Sequence, residues 1–145
     1  MKNDQYCILK RMLAQQKSLT YKGLNLTEHL NGSVLEIIVC ENCFNNTASC
    51  IESISYLVEF VAIHGGIRYV IFNKLNTDFE LNSILYGFFQ NHIFPQLHSY
   101  GVLMTHYLVN KNQYDSLYKN VNERNSFMMA FLSLEESLRW INEQS

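Results

Sequence analysis

IRYVIFN (residues 67–73), VLMTHYLVN (102–110) and SFMMAFLS (126–133) are three short apolar runs, and each is followed by a longer segment of different character. Residues 79–100 have helical periodicity and stop at Gly101. Residues 111–125 are polar, and residues 134–143 are again helix-like. Short apolar runs alternating with helical patterns are the signature of βαβ units, which predicts a mostly parallel sheet. The pattern sets an architecture and carries no chemistry of its own.

Upstream, LNLTEHL and SVLEIIVC flank Asn31-Gly32. Asn-Gly is a strong hairpin signal, because both residues tolerate the positive φ of a type I′ turn. The second arm is almost wholly apolar, as expected of a central strand buried on both faces. Asn45-Asn46-Thr47 then offers an N-cap. Ile51, Ile54, Leu57, Val58, Val61 and Ala62 follow at amphipathic-helix spacing, and His64-Gly65-Gly66 supplies a stop. A second helix starts near Asp78 or Glu80 and carries Leu81, Ile84, Leu85, Phe88, Phe89, His92 and Ile93. Pro95 falls inside it, removes a helical donor, and predicts a kink or break near His92–Phe94. In the last helix Leu138, Trp140 and Ile141 lie close together, with Trp140 as the anchor against the sheet. The expected fold is α/β: a mixed, mostly parallel sheet with an N-terminal β-hairpin and about four helices on one or both faces. Residues 1–18 read as a short helix or an irregular arm, and residues 19–145 as a single domain.

The 145 residues suffice for one domain with a sizeable core. Hydrophobic residues make up 48% and aromatics 13%, which helps offset the entropy of ordering the chain. The formal net charge of −2 offers no basic field for a phosphate backbone, so no nucleic-acid partner is expected. No apolar run approaches the roughly 18–20 residues of a membrane span. Residues 1–18, MKNDQYCILKRMLAQQKS, lack a signal-peptide apolar region and cleavage site. The expectation is a cytoplasmic protein whose four cysteines stay reduced, without a disulfide framework.

The order hairpin, helix, strand, helix, strand, helix, strand, helix resembles the SpoIIAA-like branch of STAS domains, also described as STAS/SEC14-like. Those are small cytosolic α/β domains of bacteria. The resemblance is carried by residues 69–73 and by the helix with a Phe-Pro break, FFQNHIFPQL (88–97). It continues in the Gly-led strand 101–109 and in FLSLEESLRWI (131–141), and covers residues 20–145. The better-known STAS members are anti-sigma-factor antagonists. They are switched by phosphorylation of a serine in a D-S-S-G motif, at the start of the helix after the third core strand. The corresponding segment here is NKLNTDFELNSILYG (73–87). Asn82 stands where the motif has Asp, no Ser-Gly follows, and Leu81 and Ile84 flank Ser83. Ser83 is the position onto which the phosphoswitch carries over. A phosphate at a helix N-terminus meets free backbone donors and the positive end of the dipole. The plainer reading is that Ser83 caps or solvates the first turn.

Other constellations read mainly as structural. Cys40-x-x-Cys43 with Cys50 provides one spaced pair, whereas a structural zinc site takes four ligands. A redox pair normally opens a helix, and Cys40 and Cys43 end a strand instead. Among the histidines, His29, His64, His92, His98 and His106 form no H-x-x-x-H or H-E-x-x-H motif, and hydrogen-bonded structural roles are expected. Glu135-Glu136 opens the last helix, where negative charge suits the dipole, and Glu123 and Arg124 sit in a polar stretch. No P-loop, G-x-G-x-x-G or G-x-S-x-G is present. No catalytic residue, metal site or cofactor is therefore assigned.

One feature leans towards binding. Leu85, Tyr86, Phe88, Phe89 and Phe94 crowd one helix with Ile93 among them. A helix apolar around most of its circumference needs two partners. One is the sheet; the other is a neighbouring helix, a second subunit or an apolar ligand. The primary expectation is a non-catalytic regulatory or protein-interaction module with a protein partner, including a homodimer. The alternative is a carrier of a lipid or other apolar small molecule, with residues 81–94 lining the cavity. An enzyme ranks third, with its site in the loops 73–78 and 110–113 at the C-terminal strand ends.

Overall fold

Six strands lie side by side in chain order, β1-β2-β3-β4-β5-β6. The computed structural model describes residues 17–39, 46–77, 83–117 and 127–144. β1 (Lys17–Tyr21), β2 (Leu24–His29) and β3 (Val34–Ile38) are antiparallel neighbours. β4 (Tyr69–Asn73), β5 (Met104–Leu108) and β6 (Met128–Phe131) continue the sheet in parallel from β3. Among the described residues the helices are α1 (Thr47–His64), α2 (residues 83–99), α3 (Lys111–Leu117) and α4 (Leu134–Glu143). This is the α/β architecture expected from the apolar runs, including the hairpin and, among the described residues, four helices.

A right-handed crossover that advances one strand each time returns every connecting helix to the same face. Accordingly α1 and α2, with Tyr114 of α3, pack on one face over Leu26, Leu35, Ile37, Val70, Phe72 and Tyr107. α1 buries Cys50, Ser53, Ile54, Leu57, Val58 and Val61 there, the spacing of a single helical stripe. α4 follows the last strand and closes the opposite face. Its Leu138 and Ile141 pack with Val34, Ile71 and Leu108, and Tyr69, Phe131 and Trp140 flank them. Strands β3 to β5 are thus buried on both faces, which is why their sequences read as continuous apolar runs.

Helix ends follow local chemistry. The Asn46 side chain accepts from Ser49 N–H at the head of α1, and Gly65 ends it in the left-handed region (φ 78°). α2 consists of an α segment Ser83–Phe88, a π segment Phe89–Ile93 and an α segment Phe94–Ser99. Pro95 has no N–H, so the turn before it widens and Phe94 N–H bonds Phe89 O instead. The break expected near His92–Phe94 therefore takes the form of a π turn. The polar stretch after β5 begins as the helix α3.

Two local readings need correction. The β2–β3 connection is wider than a two-residue turn: Leu30, Asn31 and Gly32 all have positive φ (52°, 59°, 82°), and His29 pairs with Val34. The two-residue hairpin turn sits one connection earlier, at Lys22-Gly23 (φ 48° and 82°), between the paired Tyr21 and Leu24. It joins β2 to β1, a strand that the sequence reading did not include. The boundary read between residues 18 and 19 falls inside β1, whose Leu19 and Tyr21 pack against the first core. Residues 1–16, the pair Cys40 and Cys43, the expected helix start at Asp78 or Glu80, Leu81, Glu123 and Arg124 lie outside the described residues.

Candidate functional site

The second face of the sheet gathers polar side chains from three adjacent strands. Alternation along β3 places Val34 in the core of this face, and Glu36 two residues on shares it. Thr27 pairs with Glu36 and His29 with Val34, so His29 lies diagonal to Glu36. His29 Nε2 donates to Glu36 Oε1 at 2.8 Å. Asn73, at the end of β4, donates from Nδ2 to Glu36 Oε2 at 2.7 Å and accepts from Leu75 N–H at 3.0 Å. Glu36 is 4% exposed and His29 is fully buried. A carboxylate tolerates such burial when both oxygens are hydrogen-bonded. His29 Nδ1 has no hydrogen-bond partner among the described residues.

Ile71 separates Glu36 from His106 in the same row of the sheet. His106 sits in an aromatic box of Tyr69, Phe131 and Trp140, with ring centroids 6.1, 4.5 and 5.1 Å away. Its Nδ1 shares a 2.7 Å hydrogen bond with Ser137 Oγ of α4. Burial pushes the imidazole pKa down to about 3, so the ring is neutral at physiological pH. A hydroxyl beside an imidazole is the geometry of an activated nucleophile. Here both residues are fully buried, and the contact fastens α4 onto β5.

The loops at the C-terminal strand ends are folded in more than their composition suggests. Lys74, Thr77 and Gln113 are buried. Asn110 Oδ1 accepts from Gln113 N–H at 2.9 Å, and Lys74 N–H donates to Leu108 O. Gln113 Oε1 is without a hydrogen-bond partner among the described residues.

At the opposite end of the sheet the Asn-Gly turn and the His-Gly-Gly stop meet. His64 Nδ1 accepts from Gly66 N–H at 3.1 Å, so its proton sits on Nε2, which faces Glu28 Oε1 at 3.1 Å. On the first face, Lys22 and the Tyr21 hydroxyl both reach Glu59, at 2.9 and 2.8 Å. Those two donors, Lys22 first, hold the Glu59 carboxyl below its usual range.

The residues singled out on α2 divide by burial. Leu85, Phe89 and Phe94 belong to the first core, with Phe89 edge-on to Phe72 at 5.9 Å. Tyr86 and Phe88 are half-buried, and Ile84 is 70% exposed. Ser83 is the first residue of α2; its side chain lies outside the described residues. Cys50 is a buried thiol in the core, and burial pushes its pKa up to about 11, which suits a small hydrophobe. Among the described residues no three His, Cys, Asp or Glu converge as metal ligands, and no helix is long and apolar enough to cross a membrane.

Two open grooves lie apart from α2. One, of about 590 Å³, runs between β6 and α4 and is lined by Met129, Phe131, Arg139 and Trp140. The other, of about 410 Å³, lies over Ser18, Thr20, Thr27 and Ile38. The sequence reading did not pair His29 with Glu36 or His106 with Ser137. The available signal for the first was the lone carboxylate in the apolar arm SVLEIIVC. Comparison with known family models, characterised proteins and solved structures finds no match for this chain.

Proposed function

We propose that this chain is a non-catalytic regulatory or protein-interaction module resembling the SpoIIAA-like STAS domains. The observation that carries the reading is the fate of the ionisable side chains. The two histidines within the sheet are closed off from solvent and held in contacts that fasten strands or helices, His29 to Glu36 and His106 to Ser137. A general acid or base has to reach a substrate proton, and neither ring is placed to do so. The observed order of elements, from the β2–β3 hairpin onward, is the order on which the resemblance rests.

The surface offered to a partner is the head of α2. Exposed Ile84 follows Ser83, and Tyr86 and Phe88 lie half-buried on the same helix. A protein partner or a second copy of the chain can cover these side chains. Ser83 remains the position for a phosphoswitch. The carrier alternative has less support, because Leu85, Phe89, Ile93 and Phe94 fill the core between α2 and the sheet.

Native mass spectrometry and sedimentation of the protein as purified from cells test the proposal. A ligand-free dimer that becomes a monomer in Ile84→Asp supports an interaction face at α2. A retained apolar molecule would replace the proposal with the carrier reading. Turnover of a defined substrate, lost on changing one residue, would refute it.

A further inference from the structure

We propose that the groove between β6 and α4 is a face for a second copy of this chain, with the two α4 helices antiparallel across a two-fold axis. The face lies on the opposite side of the sheet from α2, so the inference is independent of the interaction reading given for that helix. β6 is the last strand of the sheet, and α4 packs against β5 and β6. α4 turns Leu138 and Ile141 into the second core. What it leaves outward helps to line the groove of about 590 Å³. Met129, Phe131 and Trp140 in that lining are half-buried, and Leu132, which belongs to it, is 42% exposed.

Three charged residues decide which occupant fits. Glu136, Arg139 and Glu143 line the same groove and are exposed. Spaced by three and then four residues, they form one stripe along α4 in the order acid, base, acid. Among the described residues Arg139 has no ion-pair partner. A partner of a single sign is repelled by one part of this stripe. A stripe running the other way is not repelled.

An antiparallel copy that sets Glu136 against the partner's Arg139 also sets Arg139 against the partner's Glu136. The same alignment brings Leu132, four residues before Glu136, to the level of the partner's Glu143, four residues after Arg139. Each Leu132 then meets the turn that carries the partner's Trp140, and each groove receives the leucine of the other copy. Covering Leu132 and the half-buried rings removes apolar surface from water, and the two reciprocal charge pairs fix the alignment. The exchange is its own mirror under the two-fold, so it closes at a dimer and builds no filament.

The test is sedimentation and native mass spectrometry of two charge variants, alone and mixed. Arg139→Glu makes the stripe wholly acidic, and Glu136→Arg with Glu143→Arg makes it wholly basic. The exchanged side chains are exposed, so each variant should keep the fold. Wild type is expected to be a dimer. Each variant alone should self-associate at least about tenfold more weakly, and an equal mixture of the two should form a heterodimer. Leu132→Asp should weaken the wild-type dimer as well. Ile84→Asp, on the other side of the sheet, should leave it intact, which keeps this result distinct from the test of the α2 face. A wild-type monomer at every concentration overturns the proposal. So does a dimer that both charge variants retain, a dimer that Ile84→Asp dissolves, or a pair of charge variants that stay apart when mixed.

Discussion

Replacing His106 tests whether burial sets the acid limit of this fold. The ring is fully buried, and its pKa falls from 6.5 to about 3 on folding. The sign follows from proton counting. The native ring stays neutral between those values while the unfolded ring takes up a proton, so stability is lost as pH falls below about 6.5. Going from pH 7 to pH 5, one such group costs about 2 kcal/mol; below pH 5 the slope approaches about 1.4 kcal/mol per pH unit until the native pKa near 3. Against a typical domain stability of roughly 5–15 kcal/mol this is a large share. The assay is urea denaturation at pH 7, 6 and 5 for the wild type and two variants. His106→Gln keeps a partner for Ser137. The double variant His106→Leu with Ser137→Ala removes both polar groups, so that neither is left alone in the core. The remaining histidines contribute equally to every curve, so the quantity to read is the difference in pH dependence. Wild type should lose about 2 kcal/mol more than either variant between pH 7 and pH 5. Parallel pH dependences would falsify the claim that His106 is folded in its neutral form.

Further substitutions probe packing and turns. Phe89→Ala and Leu138→Ala each remove a buried anchor, one per face; chemical denaturation should show losses of about 3–5 and 2–5 kcal/mol respectively. Ile84→Ala, on the exposed side of α2, should stay within about 0.5 kcal/mol, and a core-sized loss there would mean that the helix is rotated. Gly65→Ala meets no neighbour and carries only the strain of φ 78°, about 1–2 kcal/mol. Gly101→Ala has φ 97° and places Cβ 2.7 Å from Arg68 Nη1, the tip of an exposed side chain that can swing aside, so its loss should also come from backbone strain, about 1–2 kcal/mol. Cys50, with its thiol buried and its pKa at about 11, should resist alkylation at pH 8 in native protein and react in urea, as read by peptide mass spectrometry.

The sequence was most informative where a single residue type has a strong local preference. Asn46, Gly65 and Pro95 set a cap, a stop and a π turn close to where their chemistry requires. The mostly parallel alternation of strands and helices from β3 onward followed from apolar runs whose spacing leaves room for one helix each. The Lys22-Gly23 turn escaped notice because lysine has no preference for φ 48°, and because β1 alternates weakly, with mainly polar residues outward. Burial around α2 was only half legible. Its apolar residues surround the helix in sequence, and only the sheet decides that Leu85, Phe89 and Ile93 face inward while Ile84 faces out.

The polar pairs were harder to read for a physical reason. A strand buried on both faces loses the polar alternation that would mark its orientation, so VLEII shows an intruding carboxylate but not its partners. Those come from register: His29 lies across the hairpin and Asn73 one strand over in the opposite direction. A one-residue slip of β2 against β3 would carry His29 to the other face and leave Glu36 buried with an unmet acceptor. The wide turn at Leu30–Gly32 alone leaves the register loosely set. The His29–Glu36 bond penalises the slipped pairing, and Asn73 extends the same constraint to β4. The buried polar row thus adds to the alternation of β2, whose Leu24 and Leu26 enter the first core, in penalising a slipped alignment.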